Sequence, residues 1–191
     1  LAIVLIVAAL VNFGVNGIQY AIQLHLVSCG TNATSIGFIS GGISLMMLVG
    51  SLLAGKLSDK VPVGPTVCLA YLFICLCVLP MTLTDSYWIM LVANSFVGLP
   101  FPLINAMLLG FIFAKSPTSM QGRITVTLTV PAQVLSMFCS AVAGTLLPVF
   151  GFHGAVLVFL AVLVASAVLV ICSRSIRSIP KAAQWEHTML R

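Results

Sequence analysis

Asn12, Asn16, Gln19 and Gln23 recur at intervals of four, three and four residues inside an otherwise apolar run. At about 100° per residue, that spacing gathers four carboxamides into a stripe roughly 60° wide on one helix face. The same four, three, four spacing returns at Thr129, Gln133, Ser136 and Ser140, while Asn94 and Asn105, eleven residues apart, share a face of a third run. Carboxamides and hydroxyls donate and accept hydrogen bonds without carrying charge, so the chemistry these positions offer is recognition by hydrogen bonding. Asn12, Asn16, Gln19, Gln23, Asn105 and Gln133 are therefore the candidate solute-binding residues.

Two readings of the stripes compete. In hydrocarbon a polar side chain needs a partner or a wet cavity. An isolated Asn or Ser commonly bonds a neighbouring helix, a contact worth about 0.6 kcal/mol and seldom above ~2. A stripe of four needs a matching polar stripe at nearly every turn, and that requirement favours a cavity. Small residues form a different pattern, with Gly37, Gly41, Ser44, Ser51 and Gly55 at helical spacing broken by Leu48. Such a face can approach another backbone closely, as static packing or as a sliding contact.

Catalytic constellations are absent from the sequence: there is no Gly-x-Ser-x-Gly elbow, no His-Glu-x-x-His and no Gly-rich phosphate loop ending in Lys-Ser or Lys-Thr. No Asp, Glu, Lys or Arg lies at the centre of an apolar run, so this chain offers no obvious carboxylate for proton coupling. His25 sits about 220° around the helix from Asn12, off the polar stripe, and solvation is expected for His153 in a turn and His187 in the tail. Cys68, Cys75, Cys77 and Cys139 fall within apolar runs, where a thiol behaves as a small buried hydrophobe. Cys29 falls in a loop without a partner, and no cysteine pair has metal-site spacing. Neither a metal nor a cofactor is expected.

The elements that position these residues follow from composition. Hydrophobic residues make up 61% of the chain and charged ones 6%, against roughly a quarter charged in soluble domains, which excludes a soluble fold. Crossing a hydrocarbon core of about 30 Å takes roughly 20 apolar residues, and six such helices are predicted at 1–27, 35–55, 66–83, 87–114, 124–150 and 155–172. They make an all-α integral membrane bundle over 1–173, followed by a basic tail over 174–191 that carries Trp185. Gly98, Pro100 and Pro102 interrupt the fourth span and predict a kink there. The chain opens at Leu1 inside an apolar run without an initiator Met, so a preceding segment is expected.

Charge tests the division into spans. Lys56 and Lys60 lie in the second loop, Lys115 and Arg123 in the fourth, and Arg174, Arg177, Lys181 and Arg191 in the tail. The three opposite loops hold no basic residue, and Asp85 is their sole charge. Basic residues concentrate on the cytoplasmic side, which places both ends of the chain in the cytoplasm of a multi-pass plasma (inner) membrane protein. The net charge of +5 is thus a matter of orientation in the lipid bilayer, and the clustered basic face needed for a nucleic-acid partner is missing.

The loop Gly55-Lys56-Leu57-Ser58-Asp59-Lys60-Val61-Pro62-Val63-Gly64 resembles the cytoplasmic signature of the major facilitator superfamily, G-x-L-x-D-R/K-x-G-R-R/K. Gly55, Leu57, Asp59 and Lys60 match, whereas Pro62 replaces the second Gly, and Val63 and Gly64 replace the basic pair. Ser35-Ile36-Gly37-Phe38-Ile39, Gln121-Gly122-Arg123 and Ala143-Gly144-Thr145-Leu146 are similar to the second half of bacterial drug and siderophore exporters of that superfamily. The resemblance implies two six-helix bundles rocking about a central cavity, this chain being the C-terminal bundle and an N-terminal half its missing partner. It also implies a conformational gate at Gly55, Asp59, Lys60 and Arg123, with Asp59 pairing to the opposite bundle. Span one then corresponds to the cavity-lining seventh helix and span five to the eleventh.

These readings converge on secondary active efflux of a small lipophilic compound, driven by an ion gradient, with no enzymatic step. An importer of a nutrient or metabolite on the same fold, and a non-transporting scaffold whose stripes are helix glue, are the alternatives.

Overall fold

The computed structural model describes residues 2–58, 60–114, 116–177 and 179, and every regular element among them is helical. Helix α1 (Ala2–Ser28) has 27 residues, about 40 Å of rise. It stops because Gly30 takes a φ of 71°. The N–H groups of Thr31 and Gly30 return to the carbonyls of Leu26 and Val27, each at 3.0 Å, the double closure of a Schellman turn. Asn32 then caps α2 (Ala33–Leu57), its side chain accepting the Ser35 N–H at 2.8 Å. Pro62 precedes α3 (Val63–Val78), which tightens into a 3-10 turn over Leu79–Thr82.

The predicted fourth span is two helices, α4 (Tyr87–Val97) and α5 (Phe101–Ala114), parted at 98–100 where Gly98 and Pro100 sit. The predicted fifth and sixth spans are the two arms of α6 (Thr118–Cys172), parted at Gly151 alone, whose φ 68° and ψ −178° leave helical backbone where a four-residue turn was expected. Residues on either side of Gly151 meet the same turn of α1: the Cys139 thiol lies 3.3 Å from the Phe13 carbonyl, and the Phe159 ring is 5.8 Å from the Phe13 ring. Those two residues would stand roughly 30 Å apart along one straight helix, so the chain doubles back at Gly151. The second arm runs antiparallel to α1, since Ser166 reaches the Val7 carbonyl at 3.4 Å while Phe152 stacks on His25 with centroids 4.4 Å apart. A short helix α7 (Arg174–Arg177) follows. Among the described residues, five helical stretches are long and apolar enough to cross a membrane, and the last of them, Met120–Cys172, has 53 residues. The expected helical membrane fold is present, with its final two crossings joined by a single residue rather than by the expected loop.

Packing segregates each helix into two faces. On α3, Val67, Tyr71, Ile74 and Val78 are buried, whereas Leu69, Leu72 and Leu76 are exposed, the outward apolar face a bilayer requires. Gly17 lets α1 and α6 touch, because a Cβ there would occupy the Phe159 ring. The small-residue stripe of α2 behaves differently from its expected role within this bundle. Gly37, Gly41 and Gly55 meet nothing within 4 Å, and α2 packs through its roughly opposite face, where Ile39, Gly50 and Ala54 are buried. There the space of a Gly50 Cβ is taken by the Leu99 carbonyl, so the close approach is made to the turn between α4 and α5.

Candidate functional site: a polar stripe and an internal cavity

The α1 stripe has the form its spacing predicted, with Asn12, Asn16, Gln19 and Gln23 all half-buried. Its hydrogen bonding is local. The Asn12 amide donates to the Ala8 carbonyl at 2.7 Å and the Asn16 amide to the Asn12 carbonyl at 2.8 Å. Among the described residues no member of the stripe bonds across to another helix. The second stripe follows the same rule: Thr129 donates to the Thr125 carbonyl at 2.9 Å and Ser140 to the Met137 carbonyl at 3.4 Å. Asn12, Asn16, Thr129 and Ser140 thus donate to their own helices, which leaves the amide oxygens of α1 available.

Asn12 also lines a partly open cavity of about 70 Å³ between α1, α3 and α5. Asn105 of α5 and Tyr71 of α3 line it with Asn12, and Val4, Ala8, Phe101 and Ile104 supply apolar wall. Tyr71 is 3% exposed, and no hydrogen bond to its hydroxyl is formed by the described residues. Sequence reasoning missed it, because one tyrosine in an apolar run has the pattern of core. The volume suits about two waters at ~30 Å³ each and falls below the roughly 300 Å³ at which drug-sized pockets begin. The space within this one bundle is therefore a polar niche rather than a complete solute site.

The other expected positions do not converge on this niche. Gln133 is exposed on the first arm of α6 and does not line the cavity. Asn94 and Asn105 do not share a face, because the turn at 98–100 breaks the helix between them. Asn94 is 1% exposed with its amide nitrogen unpartnered, whereas Asn105 is exposed. Of the expected gate, Gly55, Lys60 and Arg123 are all exposed and make no ion pair among the described residues. Asp59 lies outside the described residues, as do Lys115, Lys181, Trp185, His187 and Arg191. Hydrogen bonds nonetheless tie this end together, with the Gly64 N–H donating to the Ile179 carbonyl at 3.2 Å and the Gln121 side-chain amide to the Phe113 carbonyl at 3.3 Å.

At the opposite end, His25, off the polar stripe, and His153, for which solvation was expected, share a carboxylate. The Nε2 atoms of His25 and His153 lie 3.9 Å and 3.3 Å from one oxygen of Asp85. Cys29, expected to lack a partner, has its sulfur 3.8 Å from His25 Nε2. Cys68, Cys75 and Cys77 are half-buried and Cys139 is buried, all four free thiols within spans.

Helices long enough to cross a bilayer, an outward apolar surface and a polar stripe bonded to its own backbone define a multi-pass membrane protein. The family model described as Major Facilitator Superfamily matches residues 4–189, and the chain belongs to that superfamily, whose members are membrane transporters rather than enzymes. No curated protein matches the chain.

Proposed function

We propose that this chain is the C-terminal bundle of an exporter that moves a small, uncharged, lipophilic compound by alternating access against a second, N-terminal bundle. The observation that carries this reading is the pairing of Asn12 with Asn105 and Tyr71 around one niche, while the stripe running on from it makes no bond to another helix among the described residues. Helix glue would place those amides against polar partners on a neighbour. Amide oxygens left open beside apolar wall instead suit a solute with a hydrogen-bond donor and a greasy body. A niche of about 70 Å³ supplies one side of such a site, and the facing bundle supplies the rest. In this reading Gly55, Asp59, Lys60 and Arg123 form the gate on the cytoplasmic side, and both ends of the chain face the cytoplasm of the plasma membrane.

The test is efflux of a panel of lipophilic fluorescent dyes from cells making the full-length protein. Asn12→Ala and Asn105→Ala are expected to lower efflux of a responding dye about 3- to 10-fold, the loss of one substrate hydrogen bond, at unchanged abundance in the membrane. Full efflux in both variants would remove the niche from the transport path. Dye accumulation above the vector control would reverse the direction and favour the importer.

A further inference from the structure

Val63 and Gly64 stand where the superfamily signature carries its basic pair, and neither behaves as a residue of an open loop. Val63 is fully buried. A Cβ on Gly64 would fall on the Arg177 carbonyl, with the Ile176 carbonyl close beside it. What fills that space is the chain after α6. Ser173 has extended backbone, with ψ 104°, which ends α6, and α7 then packs against the start of α3. Ile176 and Ile179 are buried in the same apolar core as Val63 and Val67. The first-turn N–H groups of a helix have no partner within it, and here the Ile179 carbonyl takes the Gly64 N–H at 3.2 Å.

We propose, on the reading of this end as the gate, that the tail supplies the two cations its loop lacks: Gly64 is the seat, and Arg174 and Arg177 present the charge. Both arginines are exposed, as Lys60 and Arg123 are. The carbonyl of Arg177 lies at the point from which a side chain at position 64 would start, so a cation is held at the register where the signature has one. Cations that only orient a chain in the bilayer need no fixed place. These two lie on either side of buried Ile176, and the backbone hydrogen bond from Gly64 follows two residues after Arg177, so packing sets their positions. A guanidinium anchored in this way can make and break a charge-assisted bond to a carboxylate on the facing bundle as the two bundles move. Any side chain at position 64 would drive the tail from its seat. The loss of a basic residue from the loop and its recovery from the tail are therefore one feature.

Charge and docking are tested separately. Dye efflux from cells making the full-length protein is compared for the wild type, Lys60→Gln, the pair Arg174→Gln with Arg177→Gln, and the pair Arg174→Lys with Arg177→Lys. The Gln pair is expected to lower efflux about 10-fold, the loss of a charge-assisted contact, at unchanged abundance and orientation in the membrane. The Lys pair should restore most of it, since either cation serves at the last signature position. A loss that Lys does not restore would make the arginines structural and overturn the proposal. Full efflux in the Gln pair beside reduced efflux in Lys60→Gln would also overturn it while keeping the gate, and full efflux in both would remove the gate and the proposal together. Docking is read by trypsin, which cuts after Arg174 and Arg177, on the purified full-length protein in detergent. Gly64→Ala is expected to be cut there about 10-fold faster than the wild type, because cleavage follows the population of the released tail. Gly122→Ala, whose added Cβ meets nothing within 4 Å, should be cut at the wild-type rate. Equal rates in Gly64→Ala and the wild type would overturn the seat. Should Gly64→Ala fail to purify, Ile176→Ser alters the tail and leaves α3 intact. It should show the same acceleration, and a wild-type rate there would overturn the docking.

Discussion

Tyr71 is enclosed by apolar neighbours, yet its hydroxyl has no hydrogen-bond partner among the described residues and borders the niche with Asn12 and Asn105. A hydroxyl that faces the niche and bonds nothing in the protein contributes little to stability, and removing it leaves no partner orphaned. Tyr71→Phe is therefore expected to unfold within about 1 kcal/mol of the wild type while lowering efflux of a dye that responds to Asn12→Ala. A large loss of stability, read by denaturation in detergent, would mean that the hydroxyl is structural. Asn12 and Tyr71 also show what a sequence makes legible at this scale. Four amides at helical spacing announce themselves through periodicity, whereas a single tyrosine among leucines carries no pattern and acquires meaning only when α1, α3 and α5 close around it. The histidines were obscured for a related reason: His25, Asp85 and His153 are joined across 60 and 68 residues, and no local spacing records such a contact.

At the scale of elements, polarity and turn chemistry located the helices well, and the departures lie where a backbone does something local composition cannot specify. Gly98 and Pro100 announced an interruption, but whether it bends one helix or separates two depends on packing, and here the carbonyl of Leu99 is pressed against Gly50 of α2. On α2 small residues occupy both faces, so composition alone did not say which of them meets a neighbour. Gly30 and Gly151 provide a sharper test of how the elements are joined. Both have positive φ, but Gly30 closes a Schellman turn, a left-handed position that Asn also tolerates. Gly151, at φ 68° and ψ −178°, lies in a region essentially restricted to glycine, where other residues cost about 1–3 kcal/mol. Gly30→Asn should thus change the unfolding free energy by less than about 1 kcal/mol, while Gly151→Asn should lose about 1–3 kcal/mol. Equal effects would show that the reversal does not depend on the conformation of Gly151.

For the whole molecule, the surface of this bundle has to be divided between lipid and the second bundle proposed to face it. Leu69, Leu72 and Leu76 on α3 form a plain apolar face, suited to acyl chains. The α2 stripe is different, because Gly37, Gly41 and Gly55 are exposed and have open space where a side chain would begin. Lipid does not require small residues, whereas close passage of another helix does, so the stripe is the surface expected to slide against the opposite bundle. Substitution separates that role from folding. Gly41→Leu has room within this bundle and should leave the unfolding midpoint within about 2–4 °C of the wild type, the shift of roughly 1 kcal/mol. Gly50→Leu must displace the Leu99 backbone and should unfold at a markedly lower temperature. In the dye assay Gly41→Leu should nevertheless lower efflux, since the added side chain stands in the path of the moving partner. Full efflux in a normally folded Gly41→Leu protein would assign that stripe to lipid and require the sliding surface to lie elsewhere, on the exposed first arm of α6 that carries Gln133.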